Sequence, residues 1–341
     1  MSPTPPVSPT FFIGAERSGT TLLRLMVDSH PEITCIENLD YVINAVEPDG
    51  SFPSLADYAV RLETETVYST SGFSLDTSLP DLAAVANDFV AQRMVAAGKS
   101  SVAVMAHDGL ESILRIWPDA KFIHIVRDPR GVALSAKAFE WGTAVYFGIS
   151  RWAELMDEWD RVTAPIAPER LLEIRFEDLV TDHETVLGQV CEFLGHNYTD
   201  EMLSYAAETD YELPIAAKAT EWKSLITDRE MQEIEARVGD RLVAKGYEQS
   251  SLPTIEVTQR DIAQMKAKVR ALKWKHKLEF YGLAGIGELI ARKAGQDELQ
   301  MKLKKKMNAK ERQGRKRSWR EPGREYSYSP ARKAELQAVS K

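Results

Sequence analysis

Five short apolar runs recur along the first two thirds of the chain, and most are followed by apolar residues at helical spacing. The runs are Phe11–Ile13, Ile33–Asn38, Ser101–Met105, Lys121–Val126 and Leu171–Phe176. Such runs, bounded by glycine, proline and charged residues, predict buried strands. Leu22, Leu23, Leu25 and Met26 follow the first, and Pro31 ends that helix because proline cannot continue it. Trp152, Leu155, Met156 and Trp159 share one helix face in residues 149–163, an aromatic stripe that reads as core. Further helices are expected over Leu110–Trp117, from near Val132, from Glu184 to Leu194 with Gly195 closing it, and over Asp228–Gly239. Strand and helix in alternation predict an α/β fold, a central parallel sheet covered by helices on both faces.

Other stretches lack this alternation. Residues 41–100 read as helical and loop-rich, with turns at Pro48-Asp49-Gly50 and Ser71-Gly72, and are expected to wall the substrate side. Residues 197–217 carry no strand pattern, and Ser250–Pro253 reads as a linker. The organisation expected is a disordered segment over 1–9, one large domain over 10–250, and a helical extension with a partly disordered tail over 251–341.

Charge sharpens that boundary. The 341 residues carry a net charge of −8, yet residues 266–341 hold 22 Lys+Arg against 8 Asp+Glu, leaving 21 against 43 in residues 1–265. An acidic body argues against broad nucleic-acid binding, and the extension is a basic attachment. A helix with Trp274, Leu278, Tyr281 and Leu289 among lysines and arginines has several readings: a solvated or self-associating helix, peripheral contact with an anionic membrane, or packing on a protein or polyanion partner or the acidic body. Two cysteines, Cys35 and Cys191, form no disulfide framework and no metal-ligand spacing. Residues 1–9 have neither charged nor apolar leader character, and no run reaches the ~20 apolar residues of a membrane span. The expected setting is cytoplasmic.

The first strand–helix junction carries the candidate chemistry. Gly14-Ala15-Glu16-Arg17-Ser18-Gly19-Thr20-Thr21 has the glycine spacing of a Walker A loop. Strand, glycine loop and helix N-terminus present unpaired backbone N–H groups and a positive dipole end to an anion. Thr20 stands where the nucleotide-hydrolysing lysine belongs, and the cation sits inside the loop as Arg17. This predicts a phosphate-like ligand handled without that lysine; the plain alternative is a packing turn. His124, inside its strand, reads as a buried, satisfied histidine.

A second stretch makes the assignment narrower. Arg17-Ser18-Gly19-Thr20-Thr21-Leu22-Leu23 resembles the 5′-phosphosulfate loop of sulfotransferases that use 3′-phosphoadenosine 5′-phosphosulfate (PAPS), in the branch with arginine in the loop. Ile125-Val126-Arg127-Asp128-Pro129-Arg130-Gly131-Val132-Ala133-Leu134-Ser135 resembles the same family's 3′-phosphate site, with Arg127 and Ser135 in register. Arg175–Leu179 and Trp222-Lys223 look like further landmarks, so the resemblance covers residues 10–248. It implies a P-loop-like sheet, PAPS as sulfuryl donor, no metal, and transfer to a hydroxyl or amine. Arg17 is then the charge-stabilising catalytic residue. Arg17, Ser18, Gly19, Thr20, Thr21, Arg127, Ser135, Lys218 and Trp222 contact the donor.

The resemblance leaves the general base open. His107 lies at the distance from Arg127 that the small-molecule branch places its histidine, but within Met105-Ala106-His107 rather than Lys-Thr-His. Glu37 follows His30-Pro31 as the tyrosylprotein branch's glutamate does, one residue out of register with Asn38. Either side-chain type can take a proton. The acceptor stays open among small molecule, glycan, lipid and peptide. A P-loop kinase would need the lysine that Thr20 replaces. A non-catalytic nucleotide- or polyanion-binding adaptor is the other rival, and it would bind donor without turnover.

Overall fold

β1 (Thr10–Ile13) is the middle strand of a five-stranded, all-parallel sheet in the order β2–β3–β1–β4–β5. β2 spans Ile33–Ile36, β3 Ser101–Ala106, β4 Lys121–Val126 and β5 Leu171–Arg175. All five coincide with the expected apolar runs. The structure, a computed structural model, describes residues 8–138, 145, 149–209, 211–294, 296, 298–300 and 302–307. The expectations of disorder over residues 1–7 and in the tail beyond 307 lie outside the described residues.

Successive strand residues face opposite ways, and here both ways are apolar. Phe11, Ile13, Val104 and Phe122 join one core with Val85 and Phe89, while Phe12, Ile33, Ile123 and Ile174 join the other. The Phe11 ring lies 5.1 Å from Trp117 and 6.0 Å from Phe122. α1 (Thr20–Asp28) covers the second face with Leu23 and Met26. α2 (Leu55–Leu62) and α3 (Leu82–Ala97) belong to the helical insertion between β2 and β3. α4 (Leu110–Ile116), α5 (Pro129–Ala138) and α6 (Ser150–Thr163) follow. The α6 stripe is core, as expected: Trp152, Leu155, Met156 and Trp159 are all buried.

Two local differences bear on the site. α5 starts at Pro129, earlier than Val132; proline is at home in a first turn, where its missing N–H has no intrahelical partner. The polar stretch after β5 is itself helical, as α7 (Phe176–Thr181), which turns Phe176 back toward the loop after β1. α8 (His183–Leu194) then runs to Gly195, and α9 (Asp228–Val238) carries a Thr227/Glu230 capping box.

The extension holds α10 (Gln259–Tyr281) and α11 (Leu283–Lys293). Residues 302–307 are also helical, and there Lys305 pairs with Glu63 at 2.6 Å. The basic extension therefore touches the acidic body just after α2. No helix among the described residues is long and apolar enough to cross a membrane.

Candidate functional site

The strand order reverses at β1. The chain leaves β1 toward β2 on one side and later crosses to β4 and β5 on the other. The crevice beyond the carboxyl ends of β1 and β4 is the position where open α/β sheets bind ligands.

The loop after β1 is shaped by close approach. A Cβ on Gly14 would lie 2.7 Å from side-chain carbons of Ile125 and Thr20. Gly19 has φ of 97°, and a Cβ there would lie 2.4 Å from the Phe176 ring. Arg17 has φ of 73°, the left-handed region that non-glycine residues rarely enter. The Ser18 N–H donates to the Ala15 carbonyl at 2.9 Å, closing the turn. The Ser18 hydroxyl is buried and has no hydrogen-bond partner among the described residues. Thr20 is buried, and Thr21 is the next residue of α1.

Arg127 ends the neighbouring strand. Its guanidinium donates to the Arg17 carbonyl at 2.9 Å and to the Lys218 carbonyl at 3.4 Å. It lies over the Phe176 ring at 4.0 Å. Burial pushes this guanidinium down to about 10, with Glu177 opposing and Arg17 reinforcing the shift. Ser135, on α5, accepts from Arg17 Nε at 3.0 Å. Residues 118 positions apart thus meet in one bond, and the two motifs form one cradle. The Arg127 carbonyl accepts from the buried Trp152 indole at 3.0 Å.

The supporting layer is ionic. Arg130 pairs with Asp128 at 2.7 Å and reaches Glu235 at 3.5 Å. Trp222 stacks on Arg130, 4.0 Å from its guanidinium carbon. Glu177 accepts from the Asp128 N–H at 2.9 Å and from the Tyr247 hydroxyl at 3.0 Å; burial raises its carboxyl. Lys218 brings its backbone carbonyl to Arg127, while its ammonium pairs with Glu221 at 2.9 Å.

The two base candidates follow adjacent strands. His107, just past β3, donates from Nδ1 to the Gly14 carbonyl at 2.8 Å. A carbonyl can only accept, so in the neutral ring Nε2 holds the lone pair. Glu37, just past β2, is half-buried. Asp40, nearby in the chain, is held by the Asn38 amide at 2.7 Å, and burial raises its carboxyl. His124 is buried as expected, and its Nδ1 meets Glu173 at 3.0 Å. Its Nε2 has no partner among the described residues, so only half of the ring is satisfied there.

Sequence reading missed three parts of this arrangement. Trp152 was legible as core, yet its N–H anchors Arg127. Phe176 and Glu177 lay in a recognisable stretch without a role; one floors the cradle and the other ties the Asp128 N–H to Tyr247. Asp40 gave no signal.

Comparison with known proteins gives the family. The sulfotransferase family model matches residues 9–200, more than half of the chain. Protein-tyrosine sulfotransferase 1 of Danio rerio is 25% identical over 209 residues, 58% of this chain and 56% of that protein. Nodulation protein NoeE of Sinorhizobium fredii is 26% identical over 297 residues, covering 73% and 68%. The chain spans about half the length of the tyrosine-sulfotransferase relatives it matches. A sulfotransferase domain from the Synechococcus PCC 7002 olefin synthase, 19% identical, shares the fold at a TM-score of 0.53, over 74% of this chain and 98% of that one. The matched region contains the Gly14–Thr21 loop, His107, Arg127 and Ser135, and this chain belongs to the sulfotransferase family.

Proposed function

We propose that the chain moves a sulfuryl group from PAPS to an acceptor hydroxyl, or to an amine, and releases adenosine 3′,5′-bisphosphate. The observation that carries this reading is the joined cradle: Arg17 bonded to Ser135, with Arg127 bonded to the Arg17 carbonyl. A buried guanidinium whose hydrogen bonds go only to carbonyls keeps its full charge for an anion. The orphaned Ser18 hydroxyl is a further polar group in want of a partner. Both features fit a nucleotide with an anionic group at each end.

In this reading Arg127 and Ser135 hold the 3′-phosphate. The loop amides from Ser18 to Thr21, with the Ser18, Thr20 and Thr21 hydroxyls, hold the 5′ end. The bound donor supplies a sulfuryl group on a phosphate–sulfate anhydride. Arg17 stabilises the charge that develops on its oxygens, and must part from Ser135 to do so. His107 is the general base: its Nδ1–H bond to Gly14 leaves Nε2 as the proton acceptor. Glu37 is the alternative base, supported by its place past β2 at the same end of the sheet. Trp222 supports the cradle through Arg130, and Lys218 through its carbonyl.

Residues 10–250 form the catalytic unit and 251–341 the extension. The exposed Trp274 and Leu278 on a lysine-rich α10 support its use in self-association or at an anionic membrane surface in the cytoplasm. The acceptor belongs to a small molecule, glycan, lipid or peptide.

Calorimetry tests the donor assignment. Wild type should prefer adenosine 3′,5′-bisphosphate to adenosine 5′-monophosphate, and Arg127→Ala should lose about 10- to 100-fold of bisphosphate affinity, the worth of a hydrogen bond to a charged group. Equal binding of both nucleotides to wild type overturns the reading. Turnover then separates the bases: His107→Ala should abolish it and Glu37→Ala should not.

A further inference from the structure

We propose that His30, Glu32 and His196 form a zinc site at the end of the sheet opposite the cradle. One ligand atom from each lies within 4.8 Å of the others. Glu32 directly precedes β2, and His196 follows α8 after Gly195. Ser101, which holds the outer nitrogen of His196, begins β3 and pairs with Ile33. The cluster therefore sits at the amino ends of two strands.

Hydrogen bonds fix the outer nitrogen of both histidines. His30 Nε2 meets the Asn197 carbonyl at 3.0 Å, so it must carry the proton. The lone pair is then on Nδ1, which faces the Glu32 backbone N–H at 3.1 Å. His196 Nε2 meets the Ser101 hydroxyl at 2.6 Å. Its Nδ1 is 3.3 Å from Glu32 Oε2, about the separation of two ligand atoms on one tetrahedral zinc. Each histidine thus has Nε2 held by an outer oxygen; Nδ1 of His196 is turned to the Glu32 carboxylate, and Nδ1 of His30 to the Glu32 backbone N–H. Outer-shell bonds of this kind orient metal-ligating histidines. The His30 and His196 rings meet edge to face at 5.4 Å, and His30 is buried.

Two imidazoles, one carboxylate and a water complete a four-coordinate zinc. The ion takes the Nδ1 lone pair of His30 in place of the local Glu32 N–H bond. Any proton shared between His196 and Glu32 leaves to solvent. No electron changes hands. Zinc would tie the turn between α1 and β2 to the turn after α8. Sequence spacing hides the site, because His196 is 164 residues from Glu32.

The test uses the full chain stripped with chelator and titrated with Zn²⁺ alone by calorimetry. One ion per chain should bind. His196→Ala and Glu32→Gln, both chosen at partly exposed positions, should each lose more than about 10-fold in affinity, and Ser101→Ala about 10-fold. Zn²⁺ should raise the melting temperature of wild type and not of His196→Ala. Adenosine 3′,5′-bisphosphate binding should be unchanged in all three variants, which separates this site from the donor cradle. Absence of saturable zinc binding to wild type, or equal affinity in wild type and His196→Ala, overturns the proposal.

Discussion

Arg127 and Arg130 stand three residues apart where β4 passes into α5, both are buried, and their surroundings could hardly differ more. Arg130 is saturated. Its guanidinium takes Asp128 at 2.7 Å, Glu235 at 3.5 Å and the Glu248 carbonyl at 2.9 Å, with Trp222 against its face. Arg127 has two carbonyls and the Phe176 ring, and among the described residues no carboxylate pairs with it. The same side chain is therefore a strut in one place and an anion receptor in the other. Partner chemistry separates the two: carboxylates cancel the guanidinium charge, whereas carbonyls orient it and leave it uncancelled.

The sharpest way to break this comparison is to remove each arginine. Arg130→Ala leaves the side chains of Asp128 and Glu235 buried without their cation, and should cost about 3–5 kcal/mol of folding stability, the usual effect of breaking a buried ion pair. Urea unfolding at neutral pH measures it. Arg127→Ala strands only carbonyls, so its stability loss should be clearly smaller while its effect on bisphosphate binding is larger. Equal stability losses in the two variants would erase the distinction between strut and receptor.

A smaller effect should follow at the anchor of Arg127. Trp152→Phe keeps an aromatic ring in the core but leaves the buried Arg127 carbonyl without the indole N–H. The loss should be about 1–3 kcal/mol, the penalty for an unpaired buried polar group. Donor affinity should fall as well, because this bond fixes the backbone from which Arg127 projects. A melting curve and a bisphosphate titration on one preparation separate the two effects; unchanged affinity in a destabilised protein would make Trp152 core alone.

The strut and the receptor also show what a sequence can carry. The inner strands were legible because they are apolar on both faces, β5 because Leu171, Leu172 and Ile174 stand out among its polar residues, and the phosphate loop because glycine spacing and a helix start are local features. Arg127 and Ser135 were legible through the resemblance of their stretch to the family's 3′-phosphate site. That Arg130 is a strut could not be read, because Glu235 and Glu248 come to it from more than a hundred residues away. Trp152 carried the period of a core helix, and periodicity says where a side chain points, not what its N–H meets. The helical state of Phe176–Thr181 was hidden because its polar residues resemble a linker, while the contact of Phe176 with Gly19 depends on tertiary packing. The zinc cluster was invisible for the same reason as Glu235: its third member arrives from a distant turn.

The smallest effect concerns a buried group at the back of the strand that carries Arg127. His124 has Nδ1 on Glu173, its ring 4.2 Å from Trp159, and Nε2 without a partner. Burial lowers its pKa, and the Glu173 hydrogen bond opposes that without reversing it. The folded chain therefore keeps this imidazole neutral at a pH where the unfolded chain, with an ordinary value of about 6.5, binds a proton. The unfolded state then holds more protons, so stability falls as pH falls below about 6.5 and continues to fall until the folded value is reached. One such proton is worth at most about 1.4 kcal/mol per pH unit. His124→Phe keeps the ring contact with Trp159 and removes the titration, and Glu173 retains Lys245 at 2.9 Å. The stability of wild type relative to this variant should therefore drop between pH 7 and pH 5, by no more than about 2 kcal/mol. Urea unfolding at the two pH values measures the change, and an unchanged difference would mean that His124 accepts its proton in the folded state as readily as in the unfolded one.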